Sequence, residues 1–351
     1  MRCWLLFHRD VAPDVPEAAE VMRFQQTAFK AGIELQVLQP RDFDLIVDSD
    51  HNWSAIYRGR TLPKPDLIIP RTGSESSYFT LAVLRHFERQ GVAMLNGPAA
   101  IEAVADKLQT LQIVSAAGLP IPKTILGKFP VDVGVVEREL GFPVVVKTLK
   151  GTRGNGVLLC ANREQFNDLA TLLDGANPGA DFIFQQYIKS SHGRDVRVLV
   201  VNGKAVAAME RKSADGSFKS NISLGGIGSR FQLPDDMAQL AIKVAQVLGL
   251  DVAGVDILFD ENGYRVCEAN SSPGFQGLEK ACNVSVPDLI FHAMREKLGL
   301  PVRPRGSSWR RFMDGVRHSL GGKTLGGKVL GGRKRVPDRM ETTESVERAL
   351  P

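Results

Sequence analysis

The feature that most narrows the folds open to this chain is an Asn202-Gly203 pair set between two apolar-rich runs, 196–201 and 204–209. Asn-Gly supplies the left-handed backbone that a two-residue turn needs to match the twist of its flanking strands, so the run predicts an antiparallel hairpin. A second hairpin follows, with 255–259 turning at Glu261-Asn262-Gly263 into 264–268, after a helical pattern over 235–248. Runs at 143–149, 157–160 and 182–188 add strands, so residues 120–300 read as α+β with antiparallel sheets.

Residues 1–97 carry a different pattern. Strand-like runs at 4–8, 34–38, 66–70 and 92–95 alternate with helical ones at 17–31 and 76–90. Such alternation predicts a small parallel α/β domain. Gly97-Pro98 punctuates the chain, and a single helix is expected over 99–117, stopped by Gly118 and Pro120. The expected division is therefore 1–97, 98–300 and a tail, 301–351.

The tail holds twelve Lys/Arg against five Asp/Glu, so the formal charge of +5 belongs to it and the first 300 residues are slightly acidic. Its repeats, LGGKT, LGGKV and LGGRK, are too glycine-rich for a packed core and read as a flexible basic segment. Before them, Ser307 and Ser308 would cap a helix with Trp309, Phe312, Met313, Val316 and Leu320 on one face. Such a helix suits RNA, an anionic membrane or an acidic partner, or docks on the protein's own surface. The rest of the composition, 43% hydrophobic and 24% charged, is that of a soluble globular protein. No apolar run reaches the ~18 residues of a membrane span. The cysteines, Cys3, Cys160, Cys267 and Cys282, form no C-x-x-C pair, which points to a reduced, cytoplasmic protein without a zinc site.

Chemistry concentrates on the second hairpin. With a three-residue turn, Asp260 pairs with Tyr264 and Asp256 falls opposite Glu268, and Asn270 joins them two residues on. Opposed carboxylates repel, and a divalent cation held by carboxylate and amide oxygens would relieve that repulsion; an exposed acidic sheet face is the plainer alternative. The loop Gly151-Thr152-Arg153-Gly154-Asn155-Gly156 lies between two strands and could present backbone N–H groups to phosphates. No Gly-Lys-Ser/Thr follows it, and Gly322-Lys323-Thr324 in the tail has Arg317 where a phosphate-binding loop of that type needs glycine. Lys147, among Val144, Val145 and Val146, marks either a sheet edge or a buried anion. Lys107, taken alone, is a solvated surface charge.

Taken together and in order, Lys107 in ADKLQTLQIVSAAGLPIPKT, Lys147 before GTRGNGV, FIFQQYIK, GRDVRVLVVNGKAVAAMERK, SNISLGG, VAGVDILF and CEANSSPGF resemble the RimK family of ATP-grasp ligases, which glutamylate a ribosomal protein's C-terminus. RGRTLPKPDLIIPRTGS and LRHFERQGVAMLN extend the resemblance into residues 1–97. It implies an ATP-grasp fold with an N-terminal parallel pre-ATP-grasp domain. Lys107 and Lys147 would contact ATP phosphates, with Thr152, Gly154 and Gly156 in the loop that closes over them. Gln186 and Tyr187 would form the adenine hinge, and Asp195 would lie near the ribose. Arg211, Lys219, Ser220 and Asn221 would line the triphosphate, with Arg211 and Lys219 catalytic. Asp256, Glu268 and Asn270 would hold two magnesium or manganese ions.

The chain departs from the family at two places. Leu224 stands where a basic residue precedes the paired glycines, and Gln186 replaces the usual hinge acid. Arg71 in PRTG is the candidate for gripping a substrate carboxylate, since arginine binds carboxylates bidentately; a surface ion pair is the alternative. The resemblance implies a carboxylate–amine ligase acting through an acyl-phosphate, with glutamate or another amino acid and a peptide or protein acceptor, and a homo-oligomer. The alternatives are a small-molecule ligase of lysine-biosynthesis or glutathione-synthetase type, and a non-enzymatic ATP-binding regulator.

Overall fold

The first strand, β1 (Arg2–Phe7), is covered on both faces, which is why CWLLF runs unbroken in apolar residues instead of alternating. It is the second strand of a parallel sheet, ordered β2 (Glu34–Leu38), β1, β6 (Leu67–Arg71), β7 (Ala93–Met94). The two-residue period sorts its side chains. Cys3, Leu5 and Phe7 join Phe24 of α1 (Ala18–Ala31) and Phe291 of α9 (Val286–Lys297), while Trp4 and Leu6 join Leu84 and Phe87 of α2 (Tyr78–Arg89). The computed structural model describes residues 1–301 apart from 13, 16, 50–52, 74–75, 150–155 and 177–178. The tail's expected helix and its Leu-Gly-Gly repeats lie outside the described residues.

A small antiparallel sheet, β3 (Phe43–Ile46), β4 (Ser54–Tyr57) and β5 (Arg60–Thr61), packs near α2 and has no counterpart in the sequence reading. Its strands are too short to show a period. Its β4–β5 turn places Arg58 at φ 48° and Gly59 at φ 75°, a hairpin geometry that Arg-Gly signals far less strongly than Asn-Gly.

The single helix expected over 99–117 is two helices, α3 (Pro98–Ala105) and α4 (Lys107–Ala116). Asp106 between them is extended, and its Oδ1 accepts from the backbone N–H of Leu108 at 2.8 Å and of Gln109 at 2.9 Å. An aspartate that can cap a new first turn competes with continuing the old helix. The break puts Lys107 at the first residue of α4.

A second sheet is antiparallel and ordered β10 (Val157–Cys160), β9 (Val144–Thr148), β11 (Asp181–Gln186), β8 (Thr124–Lys128). Its Val144, Val146, Phe182 and Phe184 pack on α5 (Val133–Leu140) and α6 (Arg163–Ala176). The third is β14 (Ile227–Arg230), β13 (Lys204–Lys212), β12 (Arg194–Val201), β15 (Val252–Asp260), β16 (Gly263–Asn270), antiparallel throughout. Val196, Val198, Val255 and Ile257 face α7 (Asp235–Val247) from it. The β12–β13 turn has Asn202 at φ 47° and Gly203 at φ 69°, as the dipeptide predicts. After β16 come α8 (Gln276–Cys282) and α9.

Residues Met1–Arg303 form one compact unit. A buried cluster that includes Leu5, Phe24, Val252 and Phe275 crosses the 97/98 junction. No helix among the described residues is long and apolar enough to cross a membrane.

Phe166 on α6 is fully buried, with ring centroids 5.4 Å from Phe184, 6.0 Å from Phe142 and 6.1 Å from Phe129. Phe166→Ala leaves a cavity among these rings and is expected to lower unfolding free energy by ~3–5 kcal/mol, read by urea denaturation.

Candidate active site

Along β12 the period of two sends Val196 and Val198 to the core and Asp195 and Arg197 to the opposite face. Registration then assembles a charged floor. Arg211 on β13 lies opposite Asp195, and Asp256 on β15 lies opposite Arg197. Arg211 donates from Nε to Asp195 Oδ1 at 2.6 Å and from Nη2 to Oδ2 at 2.8 Å. Arg197 makes the same fork on Asp256, 2.7 Å to each oxygen, and Arg211 Nη2 lies 3.0 Å from Asp256 Oδ2. Ser220 closes the chain by donating to Asp195 at 2.7 Å.

Arg211 and Asp256 are 3% and 4% exposed. Burial opposes the Asp256 charge, but Arg197 and then Arg211 outweigh it and hold the carboxyl below the usual aspartate range. Burial likewise opposes the Arg211 charge, and Asp256 and Asp195 together raise the guanidinium above its ordinary value.

The predicted pairing of Asp256 with Glu268 is present, by a different route. The turn has two residues, Asp260 pairs with Gly263, and Phe259 rather than Asp260 faces Tyr264. A register shift between Asp256 and Ile257 inserts Cys267 as an extra residue and brings Glu268 back opposite Asp256. The bulge leaves both Cys267 and Glu268 lining the cleft. Asn270 pairs with Gly254, and its Nδ2 donates to that carbonyl at 3.3 Å.

These residues line a cleft of about 520 Å³ that also takes in Lys107, Lys147, Gln186, Tyr187 and Arg71. Lys147 is on an interior strand, so the sheet-edge reading fails. Its Nζ donates to Gln185 Oε1 at 2.7 Å and lies 3.7 Å from Cys267 Sγ. Lys107 is half-buried rather than a solvated surface charge, and its Nζ donates to the Leu149 carbonyl at 3.2 Å. Burial pushes its ammonium down, while Glu268 supports the charge and Lys147 opposes it. Two such lysines beside Glu268 favour an anionic guest that both can share.

At the expected hinge, Gln186 exchanges backbone and side-chain bonds with Lys123, and the Tyr187 hydroxyl bonds His192 Nδ1. Lys219, Ser220 and Asn221 line the cleft. Thr152 and Gly154 lie outside the described residues. Gly156, at φ 69°, is described, and a Cβ there would sit 2.5 Å from Thr148 Oγ1. Arg71 is also at the cleft, but the residue is 8% exposed and its guanidinium is engaged by Glu20 and by the Pro273 carbonyl. The surface-ion-pair alternative is therefore replaced by a buried one.

The oxygen set fits a hard divalent cation in part. Glu268 has no hydrogen-bond partner among the described residues, and Asn270 uses its nitrogen while its amide oxygen stays available. Asp256 is already shared by two guanidinium groups. Among the described residues no cluster of three or more His, Cys, Asp or Glu side chains is placed to hold a metal by itself. Such a cation would therefore draw its remaining oxygens from a bound phosphate group.

Sequence reasoning missed Arg197 and Gln185. Arg197 was available from its two-residue spacing from Asp195, and Gln185 only from the register that sets it beside Lys147. The floor makes a stability prediction. Asp256→Asn leaves the buried Arg211 and the partly buried Arg197 guanidinium groups under-compensated and should cost ~3–5 kcal/mol at neutral pH. The lowered carboxyl stabilises the fold above its unfolded pKa of about 3.9, a contribution lost as pH falls through the lower native value. Acid unfolding curves should therefore be flatter below about pH 4 in Asp256→Asn than in the parent.

Comparison with known proteins agrees with this architecture. Residues 104–294 match the RimK-like ATP-grasp domain, and residues 14–101 match the RimK PreATP-grasp domain. A probable alpha-L-glutamate ligase of Marinomonas sp. is 37% identical over 79% of this chain and 91% of its own length. The ribosomal protein bS6--L-glutamate ligase of Escherichia fergusonii is 37% identical over 75% of this chain and 87% of its own. Among solved structures, the ATP-grasp ligase PsnB complexed with a phosphomimetic variant of its minimal precursor, Mg and ADP shares the fold, with a TM-score of 0.65 at 21% identity over 84% of this chain and 98% of that one. With two family domains in tandem over most of its length, the chain belongs to the RimK family of ATP-grasp ligases.

Proposed function

We propose that this ATP-dependent ligase adds glutamate, through an amide bond, to the C-terminal end of a peptide or protein. The observation that carries the reading is the convergence of Lys107 and Lys147 with the Asp195–Arg211–Asp256–Arg197 floor on one cleft that Gln186 and Tyr187 also line. Residues 98–300 bind nucleotide and metal, and residues 1–97 form the pre-ATP-grasp domain.

In the first step a substrate carboxylate oxygen bonds to the γ-phosphorus of ATP, the bridging P–O bond breaks and ADP leaves. Both reactants are anionic, so cationic groups must offset their repulsion in the transition state. Lys147 binds the phosphates from β9 of the second sheet and Lys107 from the first turn of α4, and Arg211 and Lys219 supply charge near the transferring group, with Ser220 and Asn221 orienting it. Arg211 is fixed by two carboxylates, so its charge is in place before the nucleotide arrives. Glu268, Asn270 and the shared Asp256 would hold two magnesium ions, or manganese in their stead, which when bound neutralise phosphate charge.

In the second step the glutamate amine bonds to the acyl-phosphate carbon, the carbon–oxygen bond to phosphate breaks, and the proton the amine loses passes to the departing phosphate. Water would intercept the mixed anhydride, and the loop carrying Thr152, Gly154 and Gly156 is placed in sequence to shield it. No protein nucleophile takes part. The Cys267 thiol lines the cleft, but burial pushes it up, only partly offset by Lys147, so it stays protonated.

Leu224, 51% exposed where the family has a basic residue, favours an acceptor end that is not uniformly acidic. The test is phosphate release and product mass with ATP, magnesium, each amino acid, and peptides with acidic or apolar C-termini. Glutamate-dependent release with a one-glutamate mass gain is expected, and Lys147→Ala should lower turnover by ~10²-fold or more. Release that responds to no amino acid, with nucleotide binding intact, would instead support an ATP-binding regulator.

A further inference from the structure

Resting on the ligase reading above, we propose that Glu20, Arg71 and Asn96 are positioning residues through which α1, β6 and the segment after β7 hold the 271–275 stretch of the cleft wall. That stretch begins where β16 ends, just past Asn270. It has no strand partner of its own, yet Ser271, Ser272, Pro273 and Gly274 all line the cleft.

Three hydrogen bonds from residues 1–97 fix its backbone. Arg71 Nη1 donates to the Pro273 carbonyl at 3.1 Å, the Phe275 N–H donates to Glu20 Oε1 at 2.7 Å, and Asn96 Nδ2 donates to the Ser271 carbonyl at 2.8 Å. Asn96 also exchanges two bonds of 2.8 Å with the backbone of Val252, which ties the same stretch to the start of β15. Glu20 and Arg71 pair with each other, and the Arg71 guanidinium lies 5.4 Å from the Phe275 ring centroid and 6.0 Å from that of Phe24. On its other side the stretch leans on the floor, where a Cβ at Gly254 would meet Pro273 Cβ at 2.5 Å.

This geometry reassigns Arg71. A guanidinium whose partner is a buried carboxylate, 4% exposed, cannot turn to a substrate carboxylate without leaving Glu20 uncompensated. Its work is to hold the wall. Loosening the wall spoils the alignment of acceptor and phosphate, while the hinge at Gln186, on another sheet, keeps its grip on the nucleotide.

The full-length chain, Glu20→Gln, Arg71→Met and Arg71→Lys are compared by steady-state kinetics, ADP titration and hydrogen exchange of residues 271–275. Glu20→Gln and Arg71→Met are each expected to lower kcat by about 30-fold or more with ADP affinity within about twofold, and Arg71→Lys, which keeps the ion pair, to recover part of the loss. A substrate-gripping Arg71 gives the opposite split, in which Arg71→Met raises the carboxylate substrate's KM while Glu20→Gln leaves kcat intact; that result overturns the proposal. Exchange is read without substrate. Faster exchange at Phe275 in Glu20→Gln is expected, and unchanged exchange refutes the clamp whether or not the parent chain turns over any substrate. Absence of turnover in the parent, with exchange altered as expected, would count against the ligase reading alone.

Discussion

The site depends on a line of alternating charge, Arg197–Asp256–Arg211–Asp195, laid across three adjacent strands, with its two central members buried and its two ends partly so. Each member would be costly to bury alone, and each is tolerated because its neighbours are held at hydrogen-bond distance by strand registration. A slip of one residue in β12 would send Asp195 and Arg197 into the apolar layer against α7 and turn Val196 and Val198 to the cleft. The hydrophobic face therefore secures the polar one: the valines that pack on α7 are what keep the charges aimed at the cleft.

The bulge on β16 serves the same end. A regular ladder continuing from Val266 would alternate Cys267 and Glu268 between faces, and only one of them could reach the cleft. The extra residue turns both toward it and sets Glu268 beside Asp256 and near Lys107 and Lys147. Packing around the cleft likewise reaches beyond its own sheets. The apolar cluster shared by β1, α1, α9 and β15 presses the N-terminal sheet against the wall that carries Ser271 to Gly274.

Much of this was legible in the chain. Asn202-Gly203, the mixed runs of β12 and β13, and the alternation over 1–97 foretold two sheets of the right kind, because each depends on local backbone preference and a period of two. The site candidates Asp256, Glu268 and Asn270 were found by that period, although the turn assumed for them was one residue too long and the bulge compensated. The helix break at Asp106, the sheet of β3 to β5 and the helices α5 and α6 were not foreseen. There the local signal is a single capping side chain, strands of two to four residues, or amphipathic runs.

Local chemistry by itself determined which residues are apolar, where the chain turns, and which polar groups lie two apart on a strand; ordered motifs then sufficed to place the family. Tertiary structure alone decided what those polar groups meet. Lys147 was readable as a cation in an apolar strand, but only sheet order made it interior and paired it with Gln185. Arg71 was readable as a carboxylate ligand, but only packing between α1 and the 273–275 turn decided that the carboxylate is Glu20. The reason is physical: charge pairing falls off over a few ångströms, and residues 51 or 202 positions apart reach that distance only through the packed core.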